Sequence, residues 1–260
     1  MSPDPGLASP APQPLTQAER SAISDRAMLD AAIELILEHG LEKFTDEEIV
    51  ELLLTLATPR RDCKIPARKA MEHFKSLRNV LEADTDELSN IKGIGPNNAF
   101  GIKFIHQVAR KFLRERMMGR PFLRSSDEVM DYLEHAMRSL TYEAFRIIYL
   151  SAKNEIINEE TVSIGTATEV PVTPRQIVER AVNNSAVSLV LAHNHPGGEA
   201  DPSEEDRDIT REVVFICGMM GLKLREHLII APDEHFSFAA EGLLMEYESE
   251  FEQFYRKRFK

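Results

Sequence analysis

The chain has 260 residues, 43% of them hydrophobic, and a formal charge of -12, which supplies a core for one large domain or two small ones and a mean field that repels polyanions. Its apolar stretches fall far short of the roughly 20 residues of a membrane span. Cys63 and Cys217 form no C-x-x-C pair, which excludes a disulfide framework and a zinc ribbon, and a reducing cytoplasm is expected.

Residues 1–20, rich in proline and without a basic start or an apolar core, read as a disordered tail and not as a secretory signal. Residues 21–118 form an expected all-α domain. "SDRAMLDAAIELILEHG" repeats apolar residues at spacings of three and four and stops at Gly40. "TDEEIVELLLTLA" opens on a Thr45/Glu48 capping box. A third helix is expected from Pro66 and a short one over Thr85 to Ser89, followed by "IKGIGPNNAFGIKFIHQVARKFLRERM" as a hairpin and a long helix.

That hairpin resembles a helix-hairpin-helix element, with Gly93 and Gly95 in the turn. Glycines let backbone approach a phosphate, and free N–H groups at a helix start attract anions. Residues 91–124 carry Lys92, Lys103, Arg110, Lys111, Arg114, Arg116, Arg120 and Arg124 against Glu115 alone. Weak, sequence-indifferent and salt-sensitive DNA binding is the expectation, with Lys92, Gly93, Gly95 and Lys103 as contacts.

A linker at 119–125 marks a change of period. Over 126–260 helices and strands alternate: "SDEVMDYLEHAMRSL", the strands "EAFRIIYLSA" and "EIINEETVSIG", helix "TPRQIVERAVNNS", strand "VSLVLAH", helix "SEEDRDITREVVFICGMMG", strand "KLREHLIIA" and a charged terminal helix. The fold class is therefore α/β behind an all-α first domain.

The strand "VSLVLAH" runs into "HNHPGGEADPSEEDRD". Side chains two apart in a strand point the same way, so His193 and His195 can aim at one point. The Pro/Gly turn then leads to a helix with Asp206 in its first turn. Two imidazoles and a carboxylate leave a fourth tetrahedral position for water, as in a catalytic zinc site. Ser203-x-x-Asp206 also fits a capping pair, and the two readings are compatible. An HNH nuclease spreads its residues through a ββα unit, and a zinc deaminase needs a P-C-x-x-C partner that is missing. His227 and His235 follow the motif helix and could line the cleft, but receive no role.

The spacing H-x-H-x(7)-S-x-x-D resembles the signature of the JAMM (MPN+) zinc metalloproteases. "AHNHPGG", "DPSEEDRDIT" and the upstream "SIGTATEVPVTPRQIVERAV" are closest to the bacterial RadC-like proteins over residues 140 to 240. The chain departs from that pattern at Gly197, where serine is common, and in "TLATPRRDCKIP", which lacks an R-T-G-T stretch. The resemblance implies a three-layer, cytidine-deaminase-like α/β domain behind a helix-hairpin-helix domain. It further implies Zn2+ on His193, His195 and Asp206, Glu143 of "TYEAFRIIYL" as general base and acid, and Ser203 as a donor to the oxyanion. Glu155, Glu159 and Glu160 compete with Glu143 but lie in a polar hairpin that reads as solvated. The implied function is a metallohydrolase acting on a protein or peptide. The alternative is a DNA-associated, repair-related scaffold with a non-catalytic JAMM fold.

Overall fold

The computed structural model describes residues 29–58, 61–122, 126–165 and 172–259. The expected tail, residues 123–125 of the expected linker and residues 166–171 of the RadC-like stretch lie outside the described residues. The chain divides into two compact units, Met1–His106 and Gln107–Lys260. Among the described residues no helix is long and apolar enough to cross a membrane.

The first unit is helical: α1 (29–39), α2 (Asp46–Ala57), α3 (Lys64–Phe74), α4 (Leu77–Glu82), α5 (Thr85–Asn90) and the start of α6 (Pro96–Met117). Thr45 caps α2 in the expected box with Glu48. Helix α3 begins at Lys64, which leaves Pro66 within its first turn, where the missing N–H breaks no helical bond. Ser76 caps the unanticipated α4. Val50, Leu54, Ala67, Val80, Leu88 and Ile102 form the core. Gly93 needs to be glycine twice over: its φ is +105°, and an added Cβ would lie 2.6 Å from the Pro66 ring.

The second unit holds α7 (Ser126–Met137), β1 (Glu143–Leu150), β2 (Ile156–Gly165), α8 (Pro174–Asn183), β3 (Ser188–Asn194), α9 (Glu204–Met220), β4 (Lys223–Ile230), β5 (His235–Ser237) and α10 (Leu243–Phe259). Its boundary falls inside α6, ahead of the expected linker, because Met117 and Leu113 pack with α7 in this unit's core. The five strands lie in the order β2-β1-β3-β4-β5, with only β3 and β4 parallel.

The mixed sheet is the centre of three layers. Alternation along β3 sends Val190 and Ala192 toward α7, and Leu189 and Leu191 toward α8 and α9. All seven residues of β3 are buried, which explains its continuous apolar run. Helix α10 adds Leu244 and Tyr247 to the α9 side and crosses α9 at Gly218, where a Cβ would sit 2.5 Å from the Phe251 ring.

Candidate metal centre

His193 continues the alternation of β3, so its ring lies on the α9 side, stacked against Phe145 with centroids 5.9 Å apart. The strand ends at Asn194, and the chain turns through Gly197 at φ +65°. That left-handed conformation suits glycine, a physical reason for the departure from serine there. Helix α9 then starts with Ser203 as N-cap and Asp206 in its first turn.

Three side chains converge, the carboxylate through both of its oxygens. His193 Nε2 lies 3.0 Å from Asp206 Oδ1 and 3.1 Å from His195 Nε2, and His195 Nε2 lies 3.4 Å from Asp206 Oδ2. Ligands about 2.05 Å from a tetrahedral zinc stand roughly 3.3 Å apart, and one donor atom from each of the three side chains lies within 4.8 Å of the others, a spacing that an ion can draw together. His193 is buried, while His195 and Asp206 are only half-buried, which leaves the cluster open on one side.

The electrostatics suit a cation. Burial disfavours the charge of Asp206, but bonds with His193 and His195, helped by Ser203, outweigh it and hold the carboxyl well below the usual carboxylate range. Its bond to Asp206 raises the proton affinity of His195 despite burial; the Glu199 carbonyl and the charges of Asp206 and Glu143 add to the rise. His195 Nδ1 lies 2.9 Å from that carbonyl, which can only accept, so Nδ1 carries a hydrogen and Nε2 is the nitrogen that faces the cluster, where a bound cation would take the place of its proton.

Glu143 is the first residue of β1, exposed, and paired with Gly165 of β2. The β1–β3 register pairs Phe145 with His193 and, carried on, sets Glu143 across from His195. The buried Asn194 side chain, on the other face of β3, fastens this strand end. It accepts from the Ala144 N–H at 2.8 Å and donates to the Tyr142 carbonyl at 3.0 Å, bracketing Glu143.

The hydroxyl of Ser203 accepts from the Asp206 N–H at 3.1 Å and donates to Asp206 Oδ2 at 2.6 Å. Its single proton is thus directed at the ligand carboxylate, and an oxyanion could receive it only if that bond opened. Two of the competing acids are not solvated as expected. Glu159, its side chain 9% exposed, accepts from Arg114 and Arg146, and Glu160 is held by Tyr149 and Arg180.

Two buried polar residues beside the site escaped sequence reasoning along with Asn194. His227 of β4 has Nε2 2.9 Å from His193 Nδ1, and Nδ1 2.6 Å from Thr210 Oγ1 of α9. Thr210 in turn donates to the Asp206 carbonyl. The available signal was a histidine on the apolar face of "KLREHLII", at the same alternation as Ile229.

In the first unit, Lys92 is exposed in the turn between α5 and α6. The Gly95 N–H lies 3.3 Å from Asn98 Oδ1, which accepts it. Lys103 does not reach outward: its ammonium, its pKa lowered chiefly by burial, donates to the carbonyls of Glu82 and Ala83 at the end of α4. In the second unit Arg116 and Arg120 both bind Glu128. With Arg114 on Glu159, much of the basic run is neutralised by acids distant in sequence.

Residues 123–243 match the family model of a RadC-like JAB domain. The chain is 37% identical over 211 residues to a UPF0758 protein of Rhodobacter capsulatus, covering 81% of this chain and 99% of that one. A UPF0758 protein of Ruegeria pomeroyi is 36% identical over 211 residues, with 81% and 94% covered. One of Fusobacterium nucleatum is 35% identical over 218 residues, again with 81% and 94% covered.

Proposed function

The chain belongs to the RadC-like family, and from that premise we propose that it is a zinc-dependent metallohydrolase cleaving amide bonds of a protein or peptide, as a peptidase or isopeptidase. The observation that carries this reading is the convergence of His193, His195 and Asp206, with one donor atom from each within 4.8 Å of the others, beside a strand that begins at Glu143. Two imidazole nitrogens and a carboxylate are the donor set of a catalytic zinc, one ligand short of tetrahedral. A zinc ion held there acts as a Lewis acid and brings the pKa of water down toward ~7.

The remaining work falls to the chain's own groups. The Glu143 carboxylate takes the proton of the attacking water as its oxygen bonds to the carbonyl carbon. It delivers that proton to the nitrogen as the C–N bond breaks. Ser203 keeps the Asp206 carboxylate turned toward the imidazoles through the 2.6 Å bond to Oδ2. Asn194 fixes the backbone on both sides of Glu143. The DNA-bound scaffold draws less support, because Lys103, Arg114, Arg116 and Arg120 are engaged within the protein.

Zinc content and hydrolysis of peptide and isopeptide substrates, measured on the native chain and on Glu143→Gln, test the proposal. About one zinc per chain is expected in both, with hydrolysis by the variant lower by roughly 10²- to 10⁴-fold. A native chain that holds no stoichiometric zinc, even after its addition, would overturn the metal assignment. Full activity in Glu143→Gln would overturn the assignment of the base.

A further inference from the structure

We propose that His227 and Thr210 are positioning residues for the cation: they fix the proton on Nδ1 of His193 and so leave its Nε2 as a bare donor facing Asp206 and His195. This inference rests on the metal site proposed above and extends it to residues of β4 and the second turn of α9.

The direction of the relay follows from its far end. A backbone carbonyl can only accept, so the bond between Thr210 Oγ1 and the Asp206 carbonyl uses the hydroxyl's one proton. Toward His227 Nδ1, 2.6 Å away, Thr210 Oγ1 can then act only as acceptor, and Nδ1 must carry a hydrogen. His227 is completely buried, with the Phe145 and Phe238 rings against it, where a charge on the imidazole would be costly, so the ring is neutral and its Nε2 has no hydrogen. His227 Nε2 lies 2.9 Å from His193 Nδ1, which must therefore donate. His193 Nε2 is left with its lone pair, 3.0 Å from Asp206 Oδ1.

Each step has a single permitted proton placement, and the chain of bonds runs from the side chain of one ligand to the backbone of another. The rings have little freedom to turn. Phe238 stacks on His227 at 4.8 Å with 13° between planes, and Phe145 lies parallel to His193. His227 and Thr210 are both completely buried, so solvent offers no substitute partner. His195 reaches the same tautomer by a shorter route through the Glu199 carbonyl. With hydrogens on both Nδ1 atoms, both imidazoles direct Nε2 at the Asp206 carboxylate, where a bound cation would meet two nitrogen lone pairs and an anionic oxygen.

Ring-nitrogen NMR on the native protein, loaded with zinc and stripped of it, reads the proton placement directly. Competition against a chromophoric chelator reads zinc affinity for the native chain, Thr210→Val and Thr210→Ser. The relay predicts hydrogens on Nδ1 of both His193 and His227 and zinc affinity lower by about 10- to 100-fold in Thr210→Val. Thr210→Ser, which restores the hydroxyl, returns affinity to the native level. A merely structural role for the threonine would not produce that rescue together with the Nδ1–H signals. A hydrogen on His227 Nε2, or native affinity in a folded Thr210→Val, overturns the relay while leaving the metal site intact. Absence of zinc binding by the native chain overturns both.

Discussion

Asn194→Ala separates the base from the ligands. The Asn194 side chain is 1% exposed and holds the Ala144 N–H and the Tyr142 carbonyl at 2.8 and 3.0 Å. Ala144 is 2% exposed, so its N–H loses its acceptor where water does not replace it, at about 1–3 kcal/mol. Tyr142 is exposed and its carbonyl rehydrates at little further cost, while the lost amide leaves a small void. The total expected loss is about 2–3 kcal/mol, read as a lower urea midpoint with an unchanged slope. Neither bond touches His193, His195 or Asp206, so zinc stoichiometry should hold while hydrolysis falls with the displaced Glu143. A loss under about 0.5 kcal/mol, the scale of an ordinary surface change, together with native turnover, would refute the bracket. Loss of zinc in a folded variant would refute the claimed independence of base and ligands.

Glu159→Leu should destabilise the second unit by about 3 kcal/mol, since it strands the Arg146 guanidinium, whose side chain is 11% exposed. Adding Arg146→Met should recover most of that loss in chemical denaturation, and a double variant no more stable than the single one would contradict the pairing. Tyr132 gives an alkaline signature: burial, foremost, pushes its phenol up to about 12. The folded chain then keeps a proton that the unfolded chain releases near ~10. Stability is whole below that pH and falls as pH rises through the interval to about 12, by up to roughly 2–3 kcal/mol. Tyr132→Phe should flatten that part of the decline in unfolding measured across the interval, and an identical decline would refute it.

Where chemistry was written within one short stretch, the sequence was readable. His193 and His195 stood out because a strand places alternate residues together, and Asp206 because it begins the next helix. Glu143 needed more than local pattern: a lone acid at a strand start carries no signal until the β1–β3 register sets it across from His195. Thr210 and the role of His227 were hidden for the same reason in stronger form. Each looks like an ordinary helix or strand residue; the parallel pairing of β3 and β4 brings His227 to His193, and α9 brings Thr210 to His227. The pairing within the basic run was not legible, because a window along the chain counts Arg114, Arg116 and Arg120 without Glu128 and Glu159, which pair with them. The strand β5 and helix α4 are too short to show a period.

The three proposed ligands all lie on one unbroken piece of backbone, from the end of β3 through its following loop to the first turn of α9. Closing so short a loop forfeits little chain entropy, so the ion's grip is assembled from neighbours along the chain. The proposed base, Glu143, and the proposed relay histidine, His227, come instead from the flanking strands β1 and β4. Capture of the ion and competence for chemistry are thereby built from different parts of the fold, and amino-acid replacements in β1 can alter the second without disturbing the first.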